Sequence, residues 1–281
     1  MPEEPSISNE AVRECLERSG YLMESRLVRA LTAADFFVEP NVSHKDPRTG
    51  KAREIDLTAE RAARSMRRGV CVKTTFVIEA INNRYPVVLL TERPSSPNAD
   101  FESYLKFGTS PEPCPFLHEI HIYEEKGADW ENLFSEFCAL SKKNGRDELM
   151  ASHPDDIYSS LLKASEYTED QVVEFEDWTA EETGRYWRLF VWHPMLVVSG
   201  QLLTVKLSAE GEVLLQEVSL ARLEFNWHDG DNRKTTVIEV VRENFLLEHL
   251  ESIRTQDDAL EARIHALTLS GDLPGGSEND A

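Results

Sequence analysis

Two short apolar runs, each with an acid at its heart, constrain this chain more than any other feature. Arg53-Glu54-Ile55-Asp56-Leu57 and, after a basic interlude, Phe76-Val77-Ile78-Glu79-Ala80-Ile81 read as strands, yet each carries a carboxylate mid-run. Acids are almost never fully buried unless something pairs with them. A carboxylate inside an apolar strand therefore demands a cation, a hydrogen-bond network or a metal. Residues 35–42 read as a strand before these two, and Asp46-Pro47-Arg48-Thr49-Gly50 as a turn. Residues 53–59 then return antiparallel, with Ile55 and Leu57 expected on one face and Glu54 and Asp56 on the other. Residues 72–80 and 85–91 make a third and a fourth strand, apolar enough for a sheet covered on both faces.

Upstream, Asn9 suits the N-cap of a helix over 10–18, stopped by Gly20. A second helix over 21–33 carries a stripe of Tyr21, Leu27, Val28 and Leu31, and Glu24 falls inside it. Glu24 is either a boundary acid paired to Arg26 or Arg29, or a functional group. Downstream, the pattern predicts a short helix over 99–107, a strand over 118–123, and helices over 130–143 and 155–167. Strands follow over 186–192, 202–207, 213–220 and 235–241, with turns at Gly211 and Asp229-Gly230. A helix over 242–253 turns Phe245, Leu246, Leu250 and Ile253 inward, and the helical signal weakens beyond Gln256. This order reads as an α/β (α+β-like) chain with a mixed central sheet flanked by helices. The expected organisation is an N-terminal segment at 1–19 with a short helix, and a single domain over 20–256. That domain has a helical insertion at about 128–182, and a partly disordered acidic tail follows at 257–281.

Charge narrows the partners. With 281 residues and a net charge of −21, the surface as a whole repels nucleic acid. One stretch differs: from His44 to Lys73 nine Lys or Arg face four acids, a basic island beside the two unusual strands. It is either a solvated face or an approach for phosphates. No run nears the ~20 apolar residues that span a bilayer, and residues 1–5 have no leader character. Cys15, Cys71, Cys114 and Cys138 form no CxxC and read as free thiols of a reducing compartment, by default the cytoplasm.

Glu24, Asp56 and Glu79 form the constellation of interest. If the second and third strands are neighbours, Asp56 and Glu79 approach to ~5 Å across the sheet. Clustered carboxylates repel unless a cation neutralises them, and Mg²⁺ suits an all-oxygen site that keeps waters for phosphates. Glu54 shares the strand with Asp56 and is a fourth candidate. Gly20-Tyr21-x-x-Glu24, then Asp46-Pro47-x-Thr49-Gly50-Lys51-x-Arg53-Glu54-Ile55-Asp56, then Phe76-Val77-Ile78-Glu79 before a turn into Pro86-Val87-Val88, resemble the core of the restriction-endonuclease-like superfamily, the PD-(D/E)xK nucleases. The resemblance covers roughly residues 20–91. It implies a four-stranded mixed core with the later strands as an elaboration, and Mg²⁺-dependent hydrolysis of DNA. Glu24, Asp56 and Glu79 would be the catalytic and metal-holding acids, Arg53, Lys51 and Asn82 substrate contacts, and the island at 45–73 the approach to DNA.

One position departs from that pattern. The family lysine falls two residues after the second acid, and here that residue is Ile81. Lys73 shares the face of Glu79 but lies six residues away, ~20 Å along an extended strand. Lys51, Arg53, Asn82, Asn83 and Arg84 are nearer, but a guanidinium does not act as a base, and none of them meets the requirement. Either a cation has migrated into the site from elsewhere, or the site binds without cutting and the chain is a catalytically inactive binding or scaffold protein with a protein partner. A third reading is purely structural, with Glu24 and Glu79 paired to Arg53 or Arg84. Elsewhere, His118-Glu119-Ile120-His121 lacks zinc-ligand spacing, and Trp187, Trp192 and Trp227 suit a core better than base stacking.

Overall fold

The computed structural model describes residues 7–46, 50–62, 70–93, 106–110, 133–142, 148–179 and 187–270. Among these, twelve strands form one mixed sheet flanked by four helices, an α/β architecture. Helix α1 (Asn9–Ser19) is capped by Ser8, whose Oγ accepts from Ala11 N, so the cap lies one residue before the expected Asn9. Gly20, at φ 91°, ends α1 and leads into α2 (Tyr21–Ala33). Helix α2 buries Met23, Leu27 and Leu31, whereas Tyr21, expected in its stripe, is exposed.

Strands β1 (Phe37–Lys45), β2 (Ala52–Ala62) and β3 (Val70–Ile81) form an antiparallel meander. Strand β4 (Val87–Arg93) follows β3 in the chain but does not pair with it. The neighbour of β3 is β8 (Trp187–Val198), parallel to it along its whole length, Val70 opposite Trp187 and Ile81 opposite Val198. Beyond β8 lies β12 (Asn232–Arg242), hairpinned to β11 (Leu220–Asp229) through Gly230 at φ 57°. Then come β6 (Leu133–Lys142), β4, β9 (Leu202–Leu207) and β10 (Val213–Val218). Strand β5 (Lys106–Ser110) pairs with β8, and β7 (Leu149–Ser152) with β6. The later strands therefore build the middle of the sheet and are not appended to a four-stranded core.

Helices cover both faces. On one, Met23, Leu27 and Leu31 of α2 and Leu246, Leu250 and Ile253 of α4 (Leu246–Ser270) pack on Leu57, Phe76, Ile78 and Val197. On the other, Ile157 and Leu161 of α3 (Asp155–Thr179) pack on Leu196, Val198, Phe225 and Val240. Helix α4 continues to Ser270, with Leu260 and Ile264 buried, so it runs past Gln256 and takes up the first part of the expected tail.

Three expectations differ further. Residues 130–143 were expected as a helix, but 133–142 are β6, seated between β4 and β11. The stretch at 128–182 thus holds two strands as well as α3. Lys106 and Phe107 begin β5 where a helix was expected to end, while 99–105 and 118–123 lie outside the described residues. Strand β11 takes up most of an interval with no predicted element. Among the described residues no helix is long and apolar enough to cross a membrane.

Candidate functional site

Asp56 and Glu79 sit side by side. Leu57 pairs with Ile78, and the next step in that register sets Asp56 beside Glu79. There the ladder gives way to a side chain, because Asp56 Oδ2 accepts from the backbone N of Ala80 at 2.8 Å. The sheet also changes face here. Leu57 and Val38 pack on the α2 side, whereas Ile55 and Val42 pack with Val77, Ala164 and Tyr167 on the α3 side. Ile55 and Leu57 therefore do not share a face, as strict alternation predicted. Asn41, across from Asp56, is in the left-handed region at φ 53°, which marks the change.

Glu79 is buried to 1% exposure on the α3 side of β3. Its partner is Lys163, from α3. Nζ lies 2.6 Å from Glu79 Oε2, 3.1 Å from the carbonyl oxygen of Glu54 and 4.0 Å from Asp56 Oδ1. The residue that sequence reasoning missed is thus Lys163. Ile81 itself packs against the apolar cluster of the α3 face. A signal was present: Ser160, Lys163 and Glu166 recur every three residues through a helix that buries Ile157, Leu161 and Ala164. Polar groups at that spacing among core positions belong to a face that meets something polar.

Burial pushes the Glu79 carboxyl up to about 7, with the Asp56 charge adding to the rise and Lys163 and Ser160 opposing it. Glu24, half-buried on α2, is raised first by burial and then by Asp56, with Lys163 opposing. All three predicted acids thus share one electrostatic neighbourhood with Lys163. The imidazole of His44, close by on β1, has its pKa pushed down by burial together with Arg53 and Lys163, and it packs edge-on against Tyr167.

The other predicted residues have structural occupations. Arg53 pairs with the fully buried Asp46 at 2.6 Å and with Glu166 of α3 at 3.1 Å. Asn82 accepts from Ser199 Oγ at 3.1 Å and donates to the Glu17 carbonyl, tying β3 to the β8–β9 turn and to α1. Asn83 accepts from Gly200 N, and a side chain at Gly200 would meet Asn83 at 2.6 Å, which accounts for that glycine. Lys51 is exposed. Arg26 forks onto Glu243, not Glu24, and Arg84 lies over Tyr85, so the proposed pairings of Glu24 and Glu79 with arginine are not formed. Within the basic island, Arg61 holds Asp35 and the Ala34 carbonyl, and Lys73 holds Glu60. Arg48, Arg64, Arg67 and Arg68 lie outside the described residues.

The donor set at this site is entirely oxygen: the Asp56 and Glu79 carboxylates and the Glu54 carbonyl. That composition fits a hard cation such as Mg²⁺. Glu79 lies buried among them, with Lys163 and Ser160 as its hydrogen-bonding neighbours. The three acids do not, however, close around one point: among the described residues no three His, Cys, Asp or Glu are gathered to hold an ion. No protein-family model, curated protein or solved structure matches this chain.

Proposed function

We propose that this chain is a Mg²⁺-dependent phosphodiester hydrolase of the nuclease type, with DNA as substrate and Glu24, Asp56, Glu79 and Lys163 as its working residues. One observation carries the reading: a lysine from α3 comes to 2.6 Å from Glu79, beside Asp56, where the strand motif lacks its own. A bound Mg²⁺ supplies Lewis acidity and an activated water. Asp56 and Glu79, with the Glu54 carbonyl, are the groups to hold it.

The chain's own groups do the rest. The Lys163 ammonium offsets negative charge that develops on phosphate oxygens, an effect worth on the order of a hundredfold in rate. Glu79, whose carboxyl is raised to about 7 by burial, would ionise fully only when a cation stands beside it, which suits a metal ligand. Asp56 is fixed by the Ala80 N–H and Glu24 adds charge from α2. Lys51, exposed on the basic island, is a residue to contact phosphate.

A second reading has one observation in its favour. Because no three acids are gathered around one point, the site also suits a catalytically inactive binding or scaffold protein in which Lys163 permanently neutralises the acids. Incubation with supercoiled and single-stranded DNA in Mg²⁺ or Mn²⁺ separates the two. The hydrolase reading expects cutting that falls at least about a hundredfold in Asp56→Ala, Glu79→Ala and Lys163→Ala. Wild-type protein that is folded and never cuts leaves only the binding reading.

A further inference from the structure

We propose that the Lys163 ammonium is the resident cation of the acidic site, seated where a divalent ion would bind, so that metal enters only when this side chain withdraws from Glu79 and frees its ammonium for phosphate. The inference builds on the hydrolase reading for its purpose and on geometry for its content. Oxygens from two strands converge on one nitrogen: Glu79 Oε2 at 2.6 Å, the Glu54 carbonyl at 3.1 Å and Asp56 Oδ1 at 4.0 Å. An ammonium carries charge and three donors, so it can stand in this cage as a monovalent substitute.

The fit is incomplete in an informative way. Glu79 is 1% exposed and held by Lys163 at 2.6 Å, whereas Asp56 Oδ1 stands 4.0 Å from the same nitrogen, beyond hydrogen-bond distance. Lys163 bonds one carboxylate of the pair and meets the other by charge alone. A small hard cation answers the same oxygens at about 2.1 Å. The side chain has a way out: Lys163 is 20% exposed, on a flexible four-carbon stem at the rim of α3.

The test titrates Mg²⁺ and Mn²⁺ into full-length wild type and Lys163→Met by calorimetry at pH 8, with melting temperatures recorded with and without metal. The expected result is one ion per chain bound at least about tenfold more tightly by Lys163→Met, with a larger metal-induced rise in Tm. That gain should vanish in the Lys163→Met/Asp56→Asn double variant. Lys163→Gln, which keeps a polar tip, replaces the Met variant if that one fails to fold. A folded variant that binds metal no more tightly than wild type overturns the inference, as does tighter binding that survives Asp56→Asn. DNA cleavage separates this from the function proposed above. A metal gain in variants when neither protein cuts sustains the resident lysine and removes the hydrolase. Cutting by wild type with unchanged metal affinity in the variant does the reverse.

Discussion

A carboxyl group raised to about 7 leaves a signature in stability. Across roughly pH 4.5 to 7 the folded chain keeps a proton on Glu79 that the unfolded chain has released. The folded state binds more protons in that window, so the contribution of Glu79 to stability is largest below it and is lost as pH rises towards 7. Glu79→Gln cannot ionise, and chemical denaturation across that range should show a flatter pH profile for the variant. A profile as steep as wild type would place the titration elsewhere. The acids were legible in the sequence because a strand that must bury Ile55, Val77 and Ile78 advertises any charge among them. Lys163 was legible only as one of the polar positions Ser160, Lys163 and Glu166 among core residues of a helix, and nothing local names the strand, far earlier in the chain, that it meets.

At the scale of elements, the position of α3 decides whether Lys163 reaches its partners. Three turns beyond Lys163, Phe175 lies against Gly108 of β5, where an added Cβ would stand 2.3 Å from the ring. The ring cannot give way, being packed by Phe190, Trp192 and Trp178. Gly108→Ala should therefore cost about 1–3 kcal/mol, read as a shift in denaturation midpoint, and reduce cleavage through the displaced helix. An unaltered midpoint would mean that the helix seat is softer than its packing implies. The strands around the site were readable because a sheet covered on both faces leaves short, nearly continuous apolar runs. Strand β6 was not, since Leu133, Phe134 and Phe137 recur as on a helix, and only pairing with β4 and β11 makes them a strand. The true reach of α4 was likewise hidden: Asp257 and Glu261 look like tail residues, but both are buried, and Thr74 of β3 donates to Asp257 at 2.6 Å.

For the molecule as a whole, the twelve-stranded order is what sequence could least supply. Near-continuous apolar strands announce a covered sheet but do not say that β8 sits beside β3, a choice made by distant segments with similar patterns. Among the described residues, Arg53, Arg61 and Lys73 of the basic island are paired internally, in a chain of net charge −21. The acidic site also has a history in time. The contact between Asp56 and Ala80 closes over 24 residues, whereas that between Lys163 and Glu54 closes over 109. Short loops close first because they lose less chain entropy. The acids should be assembled early and wait for their lysine, so Lys163→Met should quicken unfolding and leave the refolding rate almost unchanged in stopped-flow measurements. Slower refolding would mean that α3 docks before the barrier. On this timetable the nascent chain passes through an interval in which two adjoining carboxylates have no counter-charge of their own, and a dissolved ion is their only company.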